Sequence, residues 1–241
     1  MSLNDEYMKL NENDNAFNSL KVAQEFLEKD DIYKWKWASI AIHHALYSFC
    51  ISALVHGNYD NVISSTKDDK SDWFTRDDEV WMKLRKEKVC NNRPYYRLIW
   101  QETNEKPPEK KEERRNNKTK KNKKRLIGFW TALARVMDGE YWMGRLCCTK
   151  PLVLSDVELE KIYFVVEYVR NDIVHFIPKT IIHNIDLIKK GLLIMVVAIE
   201  FFVKESKAMN LQSIFIDKSN LDYDFEEIKK YLTIQQDSQS Y

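Results

Sequence analysis

Glycine and proline are scarce, with five of each in 241 residues. Sandwiches and barrels need many more turns than that supplies, so the chain is expected to be all-α. Cysteine is also scarce. Cys50, Cys90, Cys147 and Cys148 fit neither a disulfide framework nor a zinc pattern, and reduced thiols in a cytoplasmic protein are expected. No apolar run approaches the roughly 20 residues that a membrane helix requires. The longest, Leu192 to Ile199, stops at Glu200 and reads as a core helix, so no membrane partner is expected. The polar, acidic start from Met1 to Glu6 lacks the apolar stretch of a signal peptide. Net charge is nearly absent as well, at +1, so the overall balance points to no partner.

Hydrophobic residues make up 44% of the chain, which excludes global disorder and suffices for a single helical domain over 1–241. Apolar periodicity predicts a first helix over 14–29, with Val22, Phe26 and Leu27 on its apolar side. A second is expected over 31–55, closed by Gly57. Within it Ala38, Ala41, Ala45, Ser48 and Ser52 form a small-residue stripe that admits a close neighbour, flanked by Ile42, Leu46, Phe49 and Ala53. Weaker helical character appears over 79–89, 95–101 and 141–148, and an amphipathic helix over 126–137 is interrupted by Asp138 and Gly139. Ser155 and Glu158 form a capping box for a helix that ends near His175, because Pro178 disfavours continuation. A long helix follows over 182–205. Asp222 is placed to cap a terminal helix from Phe225 to Leu232, before a polar tail at 234–241.

Charge is distributed unevenly. Residues 106–125 carry eleven Lys/Arg against three Glu, an excess of +8 that leaves the remainder at −7. Pro107 and Pro108 break any helix there and like charges repel, so 102–125 is expected to be a flexible basic insert. Lys120, Lys121, Lys123, Lys124 and Arg125, together with Lys179, are candidate RNA contacts through sequence-blind phosphate neutralisation. The insert lacks interleaved aromatics for base stacking.

The end of the capped helix carries Arg170, Asn171, Asp172, Ile173, Val174 and His175. Arginine is a permanent planar donor for phosphate oxygens, and histidine ionises near pH 6.5, where proton transfer is useful. RNA cleavage by its own 2′-hydroxyl needs one proton removed there and one delivered to the leaving 5′-oxygen. A positioned histidine can do either, at typically about 10²–10⁴-fold. A guanidinium stabilises the charge that builds on the non-bridging oxygens. Asn171 can fix the imidazole tautomer or hold the phosphate. On an α-helix Arg170 and His175 lie about 140° apart, while Asn171 and His175 share a stripe. A single helix therefore makes a loose site, and two such helices facing each other make a better one. No metal-ligand cluster accompanies the motif and no cofactor is expected. The plain alternative is a helix end whose Arg and His bond carbonyls at the negative end of the dipole.

The R-N-x-x-x-H pattern, with Lys150, Pro151, Leu152, Ser155 and Glu158 before it and Phe176 to Lys179 after it, resembles the HEPN superfamily of helical ribonucleases and nucleotide-binding proteins. The run from Trp37 to Leu46, with Ala38, Ala41, His43 and Ala45, is similar to a second helix of a prokaryotic HEPN subfamily. The resemblance covers the second helix and 140–200, and omits the insert and the tail. It implies a HEPN-like helical bundle and a homodimer formed through the active-site helices. It further implies a site of Arg170, Asn171 and His175 from both subunits, with RNA as substrate and a role as toxin or phage-defence effector. An antitoxin or activating partner belongs to such a role. Other members are inactive and bind nucleotide, RNA or protein.

His43 shares a mixed face with Lys36, Ser39 and Tyr47 that can reach the cleft, although a structural role is favoured. His44, between Ile40 and Ser48, reads as an ordinary core histidine. Trp73, Trp81, Trp100, Trp130 and Trp142, with Tyr95 and Tyr96, read as core or dimer-interface anchors.

Overall fold

The structure, a computed structural model, describes residues 11–55, 58–64, 125–139, 142–146, 149–174, 182–208 and 223–233. The chain divides into two compact units, 1–62 with 128–241, and 63–127. In the second unit the described residues form an antiparallel pair, β1 (Ile63–Ser64) against β2 (Arg125–Leu126), with Ile63 opposite Leu126. Otherwise the described residues are predominantly helical, in keeping with the all-α expectation. The helices expected over 79–89 and 95–101, the cap at Gly57, the insert at 102–124 and the tail at 234–241 lie outside the described residues.

In the larger unit α1 (Glu12–Leu27) packs along α2 (Lys34–Val55). Asn11 caps α1 by accepting from the Asp14 amide at 2.9 Å. The buried stripe of α1 is Ala16, Phe17, Leu20, Ala23 and Leu27, so the apolar face is centred away from Val22 and Phe26, which are only half-buried. Phe17 meets Phe49 edge to face, with centroids 5.1 Å apart. The small-residue stripe of α2 does admit its neighbour. Ala38, Ala45, Ser48 and Ser52 are buried, and the Ser52 hydroxyl donates to Asn13 Oδ1 on α1. By length and composition α2 could cross a membrane, but 72% of its apolar stretch is buried inside the fold.

After a short 3-10 turn (Tyr59–Val62) and the smaller unit comes α3 (Phe129–Met137). Its buried Arg135 donates to the Asn61 carbonyl at 2.5 Å and stacks 3.9 Å over Trp142. Within 141–148, expected to have helical character, Met143–Arg145 form a 3-10 turn, and 141, 147 and 148 lie outside the described residues. The capping box is present: Ser155 accepts from the Glu158 amide, and Glu158 accepts from the Ser155 amide at 2.7 Å. It opens α4 (Asp156–Tyr163), which widens into a π-helical stretch (Phe164–Arg170) and narrows again to α5 (Asn171–Val174). Ile162, Val165, Val166 and Val169 are buried.

The long α6 (Ile185–Lys204), capped by Asn184, crosses this helix at Gly191. A Cβ there would sit 2.4 Å from Val165 Cγ2 and 2.7 Å from the Lys161 carbonyl, so only glycine permits the approach. The terminal α7 (Phe225–Leu232) has the expected bounds, but its cap is Asp224, which accepts from the Glu226 amide. Lys229 on α7 pairs with Glu200 on α6 at 2.5 Å.

Candidate functional site

The site is set by where the π-helical stretch ends. Arg170 is its last residue and Asn171 the first of α5, so the widened turn presents both together. The Asn171 amide N–H reaches the Val166 carbonyl, the five-residue spacing that defines a π-helix. Such stretches are uncommon and occur often at functional sites.

The Arg170 guanidinium is half-buried and donates through Nη1 to the neutral Asn171 Oδ1 at 2.8 Å. Asn171 in turn donates through Nδ2 to Glu167 Oε2 at 3.1 Å. The other Glu167 oxygen accepts from the Trp130 indole at 2.6 Å. Glu167 is thus held by two neutral donors, and among the described side chains no carboxylate forms an ion pair with Arg170. An arginine offers five N–H donors. One of these is committed to the Asn171 amide.

His43 joins the same surroundings from α2. It is buried, and its ring lies 4.6 Å from Phe129 at the start of α3. Burial, then the positive charge of Arg170 and then His44, pushes its pKa down to about 3. The imidazole is therefore neutral at physiological pH beside a permanent cation. His44 corrects the expectation of a core histidine: it is exposed, with Nδ1 2.9 Å from the Ser19 hydroxyl. The helix turns so that His43, one residue earlier, takes the interior position against α3.

Rings continue outward from His43. Phe129 and Trp130 lie 4.9 Å apart, Trp130 and Tyr163 5.7 Å, and Tyr163 and Tyr168 5.8 Å. The last pair is edge to face, with Tyr163 ending α4 and Tyr168 inside the π-helical stretch.

Of the candidates read from the sequence, the structure brings together Arg170 and Asn171. His175, Lys179, Lys120, Lys121, Lys123 and Lys124 lie outside the described residues, as does the side chain of Arg125, whose backbone is in β2. Trp130, expected as a core or interface anchor, is half-buried and bonded into the site. Glu167 had no place in the sequence argument. Its spacing of four from Asn171 was a usable signal, since such pairs face each other on a helix.

No family model, curated protein or solved structure matches this chain significantly.

Proposed function

We propose that this chain is a HEPN-type endoribonuclease that needs no metal ion and works as a homodimer through its active-site helices. The observation that carries the reading is Arg170: a half-buried guanidinium whose side-chain partner among the described residues is a neutral amide, so that its charge is kept for an anion.

In the proposed reaction His175 removes the proton from a ribose 2′-hydroxyl or delivers one to the leaving 5′-oxygen, its counterpart from the second subunit doing the other. The 2′-oxygen bonds to phosphorus as the phosphorus–O5′ bond breaks, giving a 2′,3′-cyclic phosphate and a 5′-hydroxyl. Arg170 binds the non-bridging oxygens, where charge grows in the transition state. Asn171 keeps the guanidinium aimed, and Glu167 keeps the Asn171 amide turned so that its oxygen faces Arg170. Lys120, Lys121, Lys123, Lys124, Arg125 and Lys179 add sequence-blind phosphate contacts. The cellular role that fits is a cytoplasmic toxin or phage-defence effector, restrained by an antitoxin or released by an activating partner.

The test is cleavage of single-stranded RNA by purified protein. Arg170→Ala is expected to lower kcat/KM by about 10²-fold or more, and His175→Ala by about 10²–10⁴-fold. Both variants should keep the melting temperature of the wild type. Loss of activity together with loss of fold would instead identify the pair as structural.

A further inference from the structure

His43 is only 8% exposed, and among the described residues neither ring nitrogen has a hydrogen-bond partner. Its ring contact is Phe129, at 4.6 Å, which is apolar and satisfies neither nitrogen. Buried polar groups in folded proteins are nearly always bonded, and leaving one unmet is costly. Ser39, one turn earlier on α2, follows that rule: it is buried and donates to the Trp35 carbonyl at 2.6 Å. A histidine kept for packing alone gains nothing from its nitrogens, since phenylalanine fills the same space without that cost. The surroundings of His43 identify a ligand that would meet the need. α2 packs against the π-helical stretch that ends in Arg170. Phe129, against His43, precedes Trp130, and the network from Trp130 through Glu167 and Asn171 ends at the Arg170 guanidinium. Burial and then the charge of Arg170 keep the imidazole neutral at physiological pH. A neutral imidazole still carries one N–H to donate. An anion with several oxygens accepts from a guanidinium and from such an N–H together.

We propose that His43 is a second phosphate-binding residue of the site, donating a ring N–H to a non-bridging oxygen of the phosphodiester held by Arg170. The proposal rests on the ribonuclease reading and adds to it a residue from α2, outside the segment from Arg170 to His175. Donors from two packed helices fix a phosphate in orientation as well as position, which one long arginine side chain does poorly. The neutrality of His43 suits that task, because a second cation beside Arg170 would be repelled before the phosphate arrives.

The experiment measures binding of the full chain to a 2′-O-methyl single-stranded RNA, which cannot be cut because the attacking hydroxyl is blocked. Thermal melts accompany it. His43→Phe keeps a ring against Phe129 and removes both nitrogens. It is expected to weaken binding by about ten-fold, yet to melt no lower than wild type, because an unmet polar group has been discarded. Arg170→Ala should weaken binding as well. In the Arg170→Ala background His43→Phe should cost less than about two-fold more, since the phosphate that the two share is no longer held in place. Wild-type binding by His43→Phe, with Arg170→Ala impaired, would overturn the proposal and spare the ribonuclease reading. Indifference of both single variants would overturn both. An undiminished ten-fold loss from His43→Phe in the Arg170→Ala background would show that His43 acts apart from that phosphate, which also overturns the proposal. Weaker binding together with a lowered melting temperature in His43→Phe would assign the ring to packing and overturn it too.

Discussion

Asn171 stands between Arg170 and Glu167, accepting from one and donating to the other. An amide can do both at once, whereas a carboxylate only accepts. Asn171→Asp would place a second anion beside Glu167 and give Arg170 the ion pair it lacks. RNA cleavage is therefore expected to fall by about ten-fold or more, since the guanidinium no longer meets phosphate with its full charge. Retention of wild-type kcat/KM in that variant would show that the neutrality of Asn171 is immaterial. His43 supports a separate prediction. Its folded pKa of about 3 lies below the ordinary 6.5, so between those values the unfolded chain holds a proton that the folded chain does not. Stability should consequently fall as pH drops from about 6.5 toward 3, with a slope of up to about 1.4 kcal/mol per pH unit from this group. His43→Phe should flatten that slope in chemical denaturation series; an unchanged slope would mean that the ring is not buried in its neutral form. At this scale the sequence was only partly legible. The motif carried Arg170 and Asn171 on its face, but Trp130 lies 37 residues from Glu167, and no local pattern announces that contact. His43 and His44 were distinguishable only once the position of Phe129 was known.

Local hydrogen bonding made some elements readable in advance. Ser155 and Glu158 satisfy each other across three residues, so their capping box needed no tertiary information. The cap at Asp224 fell two residues beyond the one expected, because either Asp can precede Phe225 and the side chain that reaches the Glu226 amide decides. The π-helical stretch was not readable. Valines at 165, 166 and 169 suit a buried α-helix equally well, and no local pattern announces how closely α6 approaches Val165 at Gly191. Gly191 tests that account. Alanine is the better helix former by about 1 kcal/mol, yet its methyl group would collide with Val165 and with the Lys161 carbonyl. Gly191→Ala is expected to destabilise the protein by roughly 1–3 kcal/mol, the usual cost of overpacking. A raised melting temperature would show that the two helices have room to separate.

For the whole molecule, scarcity of glycine and proline foretold a helical chain, and the buried faces of α1, α2 and α6 supply its core. Assembly is the larger consequence of the functional reading. One copy provides one Arg170–Asn171 pair on one helix end, and the proposed chemistry uses two, facing each other. Sedimentation of the wild-type protein should therefore show a dimer at concentrations where it cleaves RNA, and a monomer with full activity would remove the shared-cleft arrangement. The central claim is tested most directly by incubating the wild-type, Arg170→Ala and His175→Ala proteins with total RNA in EDTA and mapping the cut ends. The expected result is cleavage by the wild type alone, leaving 2′,3′-cyclic phosphate and 5′-hydroxyl ends. RNA left intact by the wild type, or cut equally well without Arg170, would contradict the account.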